Sequence, residues 1–373
     1  MRREVQPLTG PPGAPLAVGT GLVALDVVYP LDRDRPPRRY AGGTCGNTLT
    51  ILSYLGWKSC PVSRLAPGPA ADQLLKDLRR WNVSVEFISR EERGSTPVII
   101  ERIGRTKLGE PYHSFSWRCP TCGSRLPGYR PVPATSAREM AAALPAAQVF
   151  FFDRVSRGAL VLAEAFAASG AVVVFEPSGI GDAGLFREAW RLSHIVKYSH
   201  QRLRELAHFD FTRAEQEAVL LEVETLGVEG LRYRSRLGGS RTRRWQTADG
   251  LQAAEVKDAA GSGDWCAAGL LDTLARAGLK GLQEASEEQL RTAIRHGQAL
   301  AAWNCGFEGA RGGMYEVNQS EFREQLKLFA CGAQSPPRTA RRRGAPLSSS
   351  LGGLCPECRH SEATSSAKVQ NGG

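Results

Sequence analysis

The stretch KDAAGSGDWCAAGLL, Lys257–Leu271, places Gly261, Ser262 and Gly263 directly before an acid, Asp264, and then opens an apolar run. Small residues let a backbone approach a ligand closely. A helix N-terminus offers unpaired N–H groups and a partial positive charge, which together suit an anion and above all a phosphate. An aspartate beside a bound phosphate is unfavourable unless it has a task. The alternative is that Asp264 merely caps a helix over Trp265–Arg276. Capping alone, however, does not call for Gly-Ser-Gly before the acid. A backbone cradle at Gly261, Ser262 and Gly263 could hold the charge of a moving phosphoryl group while Asp264 takes the proton of an attacking hydroxyl.

From about Ala147 onward, runs such as AQVFFFDRV, AVVVFEPSG and HIVKYSH alternate with helical segments such as GALVLAEAFAASG and QRLRELAHF. That order implies βαβ units and a parallel sheet with helices on both faces. Ligands of such sheets bind at the carboxyl ends of the strands, where Asp26, Asp153, Glu176 and Asp264 are expected to lie.

The run DAAGSGD resembles the DTxGAGD signature of the PfkB, or ribokinase-like, sugar kinases. AGGTCGNTLTILSYLG (Ala41–Gly56) resembles that family's second signature, a Gly-Gly pair followed by Asn and a helix ending in Leu-Gly. The resemblance runs in order over most of residues 17–330, and within the family the texture is nearest to that of ketohexokinases. It implies an α/β fold: a ribokinase-like, doubly wound, mostly parallel sheet with helices on both faces and a small β lid. The implied domain covers 16–330, with lid elements at about 28–42 and 96–118, after a flexible leader at 1–15. A basic flexible tail at 331–373 follows.

The implied activity is ATP-dependent phosphorylation of a sugar or related polyol hydroxyl, with Asp264 as base. Asp26, Gly42, Gly43 and Asn47 would hold the sugar. Thr225, Gly227, Gly230, Cys305, Gly306 and Gly309 would border the ATP. Asn47 could also be the N-cap of a helix over Thr48–Leu55. Three departures stand out. Thr44 replaces the second Asn typical of ketohexokinases. Ala259 and Ser262 replace the usual Thr and Ala. Ser199 and Arg202 stand in place of an Asn-x-x-Glu motif, so Mg2+ would be held mainly by phosphates and water, with Glu176 as an alternative acid. A nucleoside kinase and a catalytically weak sugar-binding sensor are the competing readings.

RCPTCGSRLPGYRP carries Cys119 and Cys122, and LCPECRH carries Cys355 and Cys358. Two Cys-Pro-x-Cys knuckles complete a tetrahedral thiolate site for structural Zn2+, with the first knuckle inserted at about 113–133. The two could meet within one chain or between chains. A redox pair or disulfides are the alternatives.

The chain has 373 residues, 42% apolar and 23% charged, ordinary for a soluble globular protein. No apolar run reaches the length of a membrane helix, and the N-terminus has no apolar core of a secretory signal. Nine cysteines, an odd number with several isolated, fit a reducing, cytoplasmic compartment. The net charge of +10 draws on Arg2–Arg3, Arg338–Arg343 and a hairpin over Arg232–Trp245. It favours anionic metabolites. No nucleic-acid module is visible, and the basic residues are scattered, so nucleic acid is not an expected partner. A homodimer through the lid is the oligomer that the resemblance implies.

Overall fold

The computed structural model describes residues 8–109, 111–238, 244–251, 253, 255–330 and 353–359. Strands of four or five wholly buried residues form its centre: β1 (Leu16–Thr20), β8 (Val149–Phe152), β9 (Val172–Phe175) and β10 (Ile195–Ser199). Such continuous apolar strands are what a sheet covered on both faces requires. They pair in parallel, with β4 (Lys58–Leu65) and β5 (Ile88–Arg90) beyond β1 and β11 (Leu221–Thr225) beyond β10. Two antiparallel strands, β12 (Leu231–Ser235) and β13 (Gln246–Ala248), close the far edge. The order is β13-β12-β11-β10-β9-β8-β1-β4-β5.

Successive residues of a strand face opposite sides. Ala17, Phe151, Val174 and Val223 therefore pack under one helical layer, and Val18, Phe150, Phe152 and Phe175 under the other. The first layer contains α1 (Thr44–Tyr54), α2 (Pro69–Arg80), α7 (Ser262–Leu274) and α9 (Glu287–Cys305). The second contains α3 (Ala134–Ala143), α4 (Arg157–Ala168) and α5 (Ala183–Leu192). Three short helices, α6 (Arg213–Ala218), α8 (Gly278–Gln283) and α10 (Gly312–Glu316), and a final α11 (Gln319–Ala330), complete the described chain.

A separate four-stranded sheet, in the order β3-β2-β6-β7, forms the lid. Its strands are β2 (Ala24–Tyr29), β3 (Arg38–Gly42), β6 (Val98–Arg105) and β7 (Pro111–Ser116). The lid thus begins at Ala24, earlier than residue 28, because Leu25 and Val27 pair with β6 and bury against the body.

The structure revises four local expectations. The helix expected over Thr48–Leu55 begins at Thr44, with Gly43 (φ 78°) as its N-cap, so Asn47 lies inside the helix and does not cap it. The helix expected from Trp265 begins at Ser262, capped by Gly261 in the left-handed region (φ 73°), so Asp264 is an interior first-turn residue. In both cases a glycine that turns the chain replaces a polar side chain as the helix start. QRLRELAHF forms only a 3₁₀ turn over Arg204–His208. Part of the 1–15 leader is tied down: the Thr9 N–H donates to Ser84 Oγ (2.9 Å) and its hydroxyl to the Asn82 carbonyl (2.9 Å). Arg2–Arg3, residues 239–243 of the basic hairpin, and most of the tail with its Arg338–Arg343 run lie outside the described residues.

Candidate active site

Asp264 sits on the third residue of α7, 8% exposed, against the ends of β9 and β10. Gly261 is required there twice over. Its φ is left-handed, and a Cβ would lie 2.2 Å from the Ala310 carbonyl oxygen. The cradle is narrower than three residues. The Ser262 N–H donates to the Ala259 carbonyl (3.2 Å), whereas the Gly261 and Gly263 N–H groups meet no backbone acceptor among the described residues.

Asn47, reaching from α1, donates from Nδ2 to Asp264 Oδ2 at 2.8 Å. Beside Gly263, Lys197 and Glu176 form a 2.7 Å ion pair. Burial is the largest single influence and would lower the Lys197 pKa, but Glu176, Cys266 and Asp264 together outweigh it and raise that pKa. Burial first, then the Glu176 charge, pushes the Asp264 carboxyl up to about 8, against the Asn47 N–H and the Lys197 and Arg202 charges. Glu176 Oε2 is buried and has no hydrogen-bond partner among the described residues.

The lid covers this acid. Asp26 lies mid-strand in β2 and not at a strand end. It pairs in register with Tyr40 and Ile99, while Val28 pairs with Glu101. Partners in register project from the same face, so Asp26, Tyr40 and Glu101 share one. A Cβ on Gly42 would lie 1.8 Å from Asp26 Oδ2, which leaves only glycine room beside that carboxylate. Burial raises Asp26 to about 7, opposed by the Arg311 charge and the Gly43 N–H. Asp26 Oδ1 is likewise buried and unpartnered. Glu101 is raised well above the usual carboxylate range by burial and by nearby Asp258.

The residues expected to border ATP divide into two groups. Thr225 ends β11, and Gly227 and Gly230 form the tight turn after it, both with positive φ. Cys305 ends α9 with Gly306 as its C-cap, and the Cys305 carbonyl accepts the Lys257 N–H (2.8 Å). The Gly309 N–H donates to Asp258 Oδ2 (2.8 Å), and His113 of the lid approaches Asp258 Oδ1 at 3.2 Å. The two loops thus hold the first residue of the signature. An open groove of about 280 Å3, lined by Leu31, Asp32, Arg105, Glu255, Lys257 and Glu308, lies at the ends of the central lid strands β2 and β6.

Several charged residues here carried no signal in the reading of the motifs. Arg311 lies in the loop assigned to the adenine side, yet its Nε donates to Asn47 Oδ1 (3.0 Å). Lys197 is the one charge in an otherwise buried strand, a cue that could have found it, whereas Glu101 stands beside Arg102 in β6 and offers no such cue.

The four knuckle sulfurs converge. Cys119, Cys122, Cys355 and Cys358 lie with their Sγ atoms within 4.8 Å of one another. Two of the separations are 3.8 Å (Cys119–Cys358) and 3.6 Å (Cys122–Cys355). A tetrahedral zinc with Zn–S bonds of about 2.3 Å needs sulfurs about 3.8 Å apart, whereas a disulfide needs about 2 Å. The donor set therefore fits a zinc ion held within one chain.

Residues 139–316 match the pfkB family of carbohydrate kinases. Mouse ketohexokinase is 36% identical over 86 residues, which cover 21% of this chain and 29% of the mouse protein. The fold as a whole matches a nucleoside kinase of Burkholderia thailandensis solved with inosine (TM-score 0.61, 17% identity, 86% of this chain and 100% of that one). It also matches a fructokinase of Vibrio cholerae O395 solved with fructose, ADP and potassium (TM-score 0.60, 17% identity, 84% and 99%). The ribokinase-like α/β architecture of this pfkB-segment protein is thereby established. Among its described residues, no helix is long and apolar enough to cross a membrane.

Proposed function

We propose that this protein is an ATP-dependent kinase that phosphorylates a hydroxyl of a sugar or related polyol. The observation that carries the proposal is the position of Asp264: buried at the open N-terminus of α7, one hydrogen bond from Asn47, beneath the inward face of a lid bearing Asp26. Asp26 and Asn47 would accept and donate to sugar hydroxyls. The attacking hydroxyl gives its proton to Asp264 as its oxygen bonds to the γ-phosphorus. The bond from that phosphorus to the β,γ-bridging oxygen breaks, and ADP leaves with the electron pair. The Gly261 and Gly263 N–H groups and the Lys197 ammonium favour the charge of the transferring group. Thr225, Gly227, Gly230, Cys305, Gly306 and Gly309 would border the nucleotide. Magnesium would neutralise phosphate charge, and Glu176, with its unpartnered Oε2, is the acid suited to a magnesium-bound water.

The zinc reading accompanies this one: Cys119, Cys122, Cys355 and Cys358 hold one structural zinc in cis. A second copy would meet the chain along β7, the exposed lid edge, where Tyr112 and Phe115 are 47% and 45% exposed.

The test is ATP consumption with fructose, ribose and adenosine side by side. Turnover with a free sugar supports the proposal. Turnover with adenosine alone makes the protein a nucleoside kinase, a reading that the fold also accommodates. Sugar binding without ATP turnover makes it a sensor and refutes the kinase reading.

A further inference from the structure

We propose that Arg311 is a positioning residue for Asp264, acting through the side-chain amide of Asn47. The proposal rests on the kinase reading above. An asparagine amide can present either its oxygen or its nitrogen to a neighbour, and only chemistry decides which. A guanidinium has five donors and no acceptor. Arg311 Nε, 3.0 Å from the Asn47 side chain, therefore claims its oxygen. The nitrogen must then face Asp264, where it donates to Oδ2 at 2.8 Å. With Oδ2 so occupied, Oδ1 is the oxygen left to take a proton from the reacting alcohol.

Arg311 itself cannot swing away. Its side chain is 1% exposed, and Nη2 donates to Asp77 Oδ2 (3.1 Å) and to the Ala41 carbonyl. Asp77 Oδ2 is held in turn by the Ala41 N–H (2.8 Å) and the Tyr315 hydroxyl (2.7 Å). Ala41 is the residue before the Gly42–Gly43 pair, so one guanidinium ties the end of lid strand β3 to the base. Nη1 is buried with no partner among the described residues.

The groups that act directly on Asp264 are Asn47 and Cys45 from α1, Glu176 after β9, Lys197 in β10 and Arg202 after it. Glu176 and burial oppose the ionised form. The Asn47 N–H supports it, and that support depends on Arg311 keeping the amide in its orientation.

Two readouts test the proposal in the full-length protein. In the first, aspartate carboxyls are labelled with 13C and the Asp264 resonance is assigned by its loss in Asp264→Asn. Its titration midpoint should move to higher pH in both Arg311→Gln and Asn47→Ala, and less in Arg311→Lys, which like arginine can only donate, whereas glutamine can also accept and no longer fixes the amide. In the second, Arg311→Gln and Asn47→Ala should each lower kcat by about tenfold or more. The double variant should fall no further than Asn47→Ala alone, within about twofold, since one residue acts through the other. Arg311→Gln leaves Asp77 with two donors. Should it still fail to fold, Arg311→Lys carries both readouts. An unmoved midpoint, or losses that multiply in the double variant, would overturn the proposal. Because the titration needs no turnover, it decides the role of Arg311 even if the wild-type protein phosphorylates no alcohol, a result that would count against the kinase reading alone.

Discussion

Asp264 and Asp26 are two carboxyls that burial holds near neutrality, at about 8 and about 7. A base works only when ionised. The kcat/KM of the protein should therefore rise with pH through a limb between about 7 and 8, and a profile flat from pH 5 upward would contradict the assignment. The same burial has a stability consequence. A carboxyl whose pKa is raised on folding adds stability below its unfolded pKa of 3.8 and loses it as pH rises through about 8. Asp264→Asn removes that penalty. Its melting temperature should exceed wild type by about 2–4 °C at pH 8 and converge with it toward pH 4, as thermal melts would show. The glycine-led helix start that carries Asp264 was legible from the chain alone because Gly261 to Asp264 are contiguous in sequence. Arg311 was not: it meets Asn47 across 264 positions, and a single arginine in a glycine-rich loop announces no direction.

Helix α7 starts from a string of small residues. Its start depends on Gly261, with a left-handed φ and a carbonyl 2.2 Å from where a Cβ would lie. Gly261→Ala should destabilise the protein by about 1–3 kcal/mol and lower its melting temperature. An unchanged melt would mean that the turn is more tolerant than its geometry indicates. Both α1 and α7 start before the first polar residue that reads as a cap, because the glycine preceding each one sets the chain direction without a side chain. The two Cys-Pro-x-Cys turns and their convergence were legible from their identical spacing, but that they meet within one chain was not, since β7 delivers one and the far end of the chain the other. Cys119 is followed by a ribbon in which Leu126 bonds Trp117 and the Pro127 carbonyl accepts the N–H of Val98, so this turn is continuous with the lid. The second turn buries Leu354 and Cys355 in the main core. Purified protein should contain one zinc per chain by metal analysis, and Cys355→Ser should lose it. Zinc retained in that variant would refute the four-thiolate site.

The molecule as a whole is a sheet with two dissimilar halves of legibility. The alternation of buried strands and helices after Ala147 is written locally, and the parallel order follows from it. The antiparallel edge, β11 to β13, is a local meander over the stretch where a hairpin was expected, whereas the separation of the lid into its own sheet depends on the pairing of β2 with the distant β6, which periodicity does not encode. Asp26 in the lid and Asp264 in α7 are both buried. The account therefore turns on whether the acid under the closed lid performs proton transfer. The most direct measurement compares Asp264→Asn with wild type for ATP-dependent phosphorylation of the preferred alcohol, alongside binding of that alcohol and of ATP. The predicted result is a fall in kcat of about 100-fold or more with binding changed only a few-fold. Turnover near the wild-type level would contradict it.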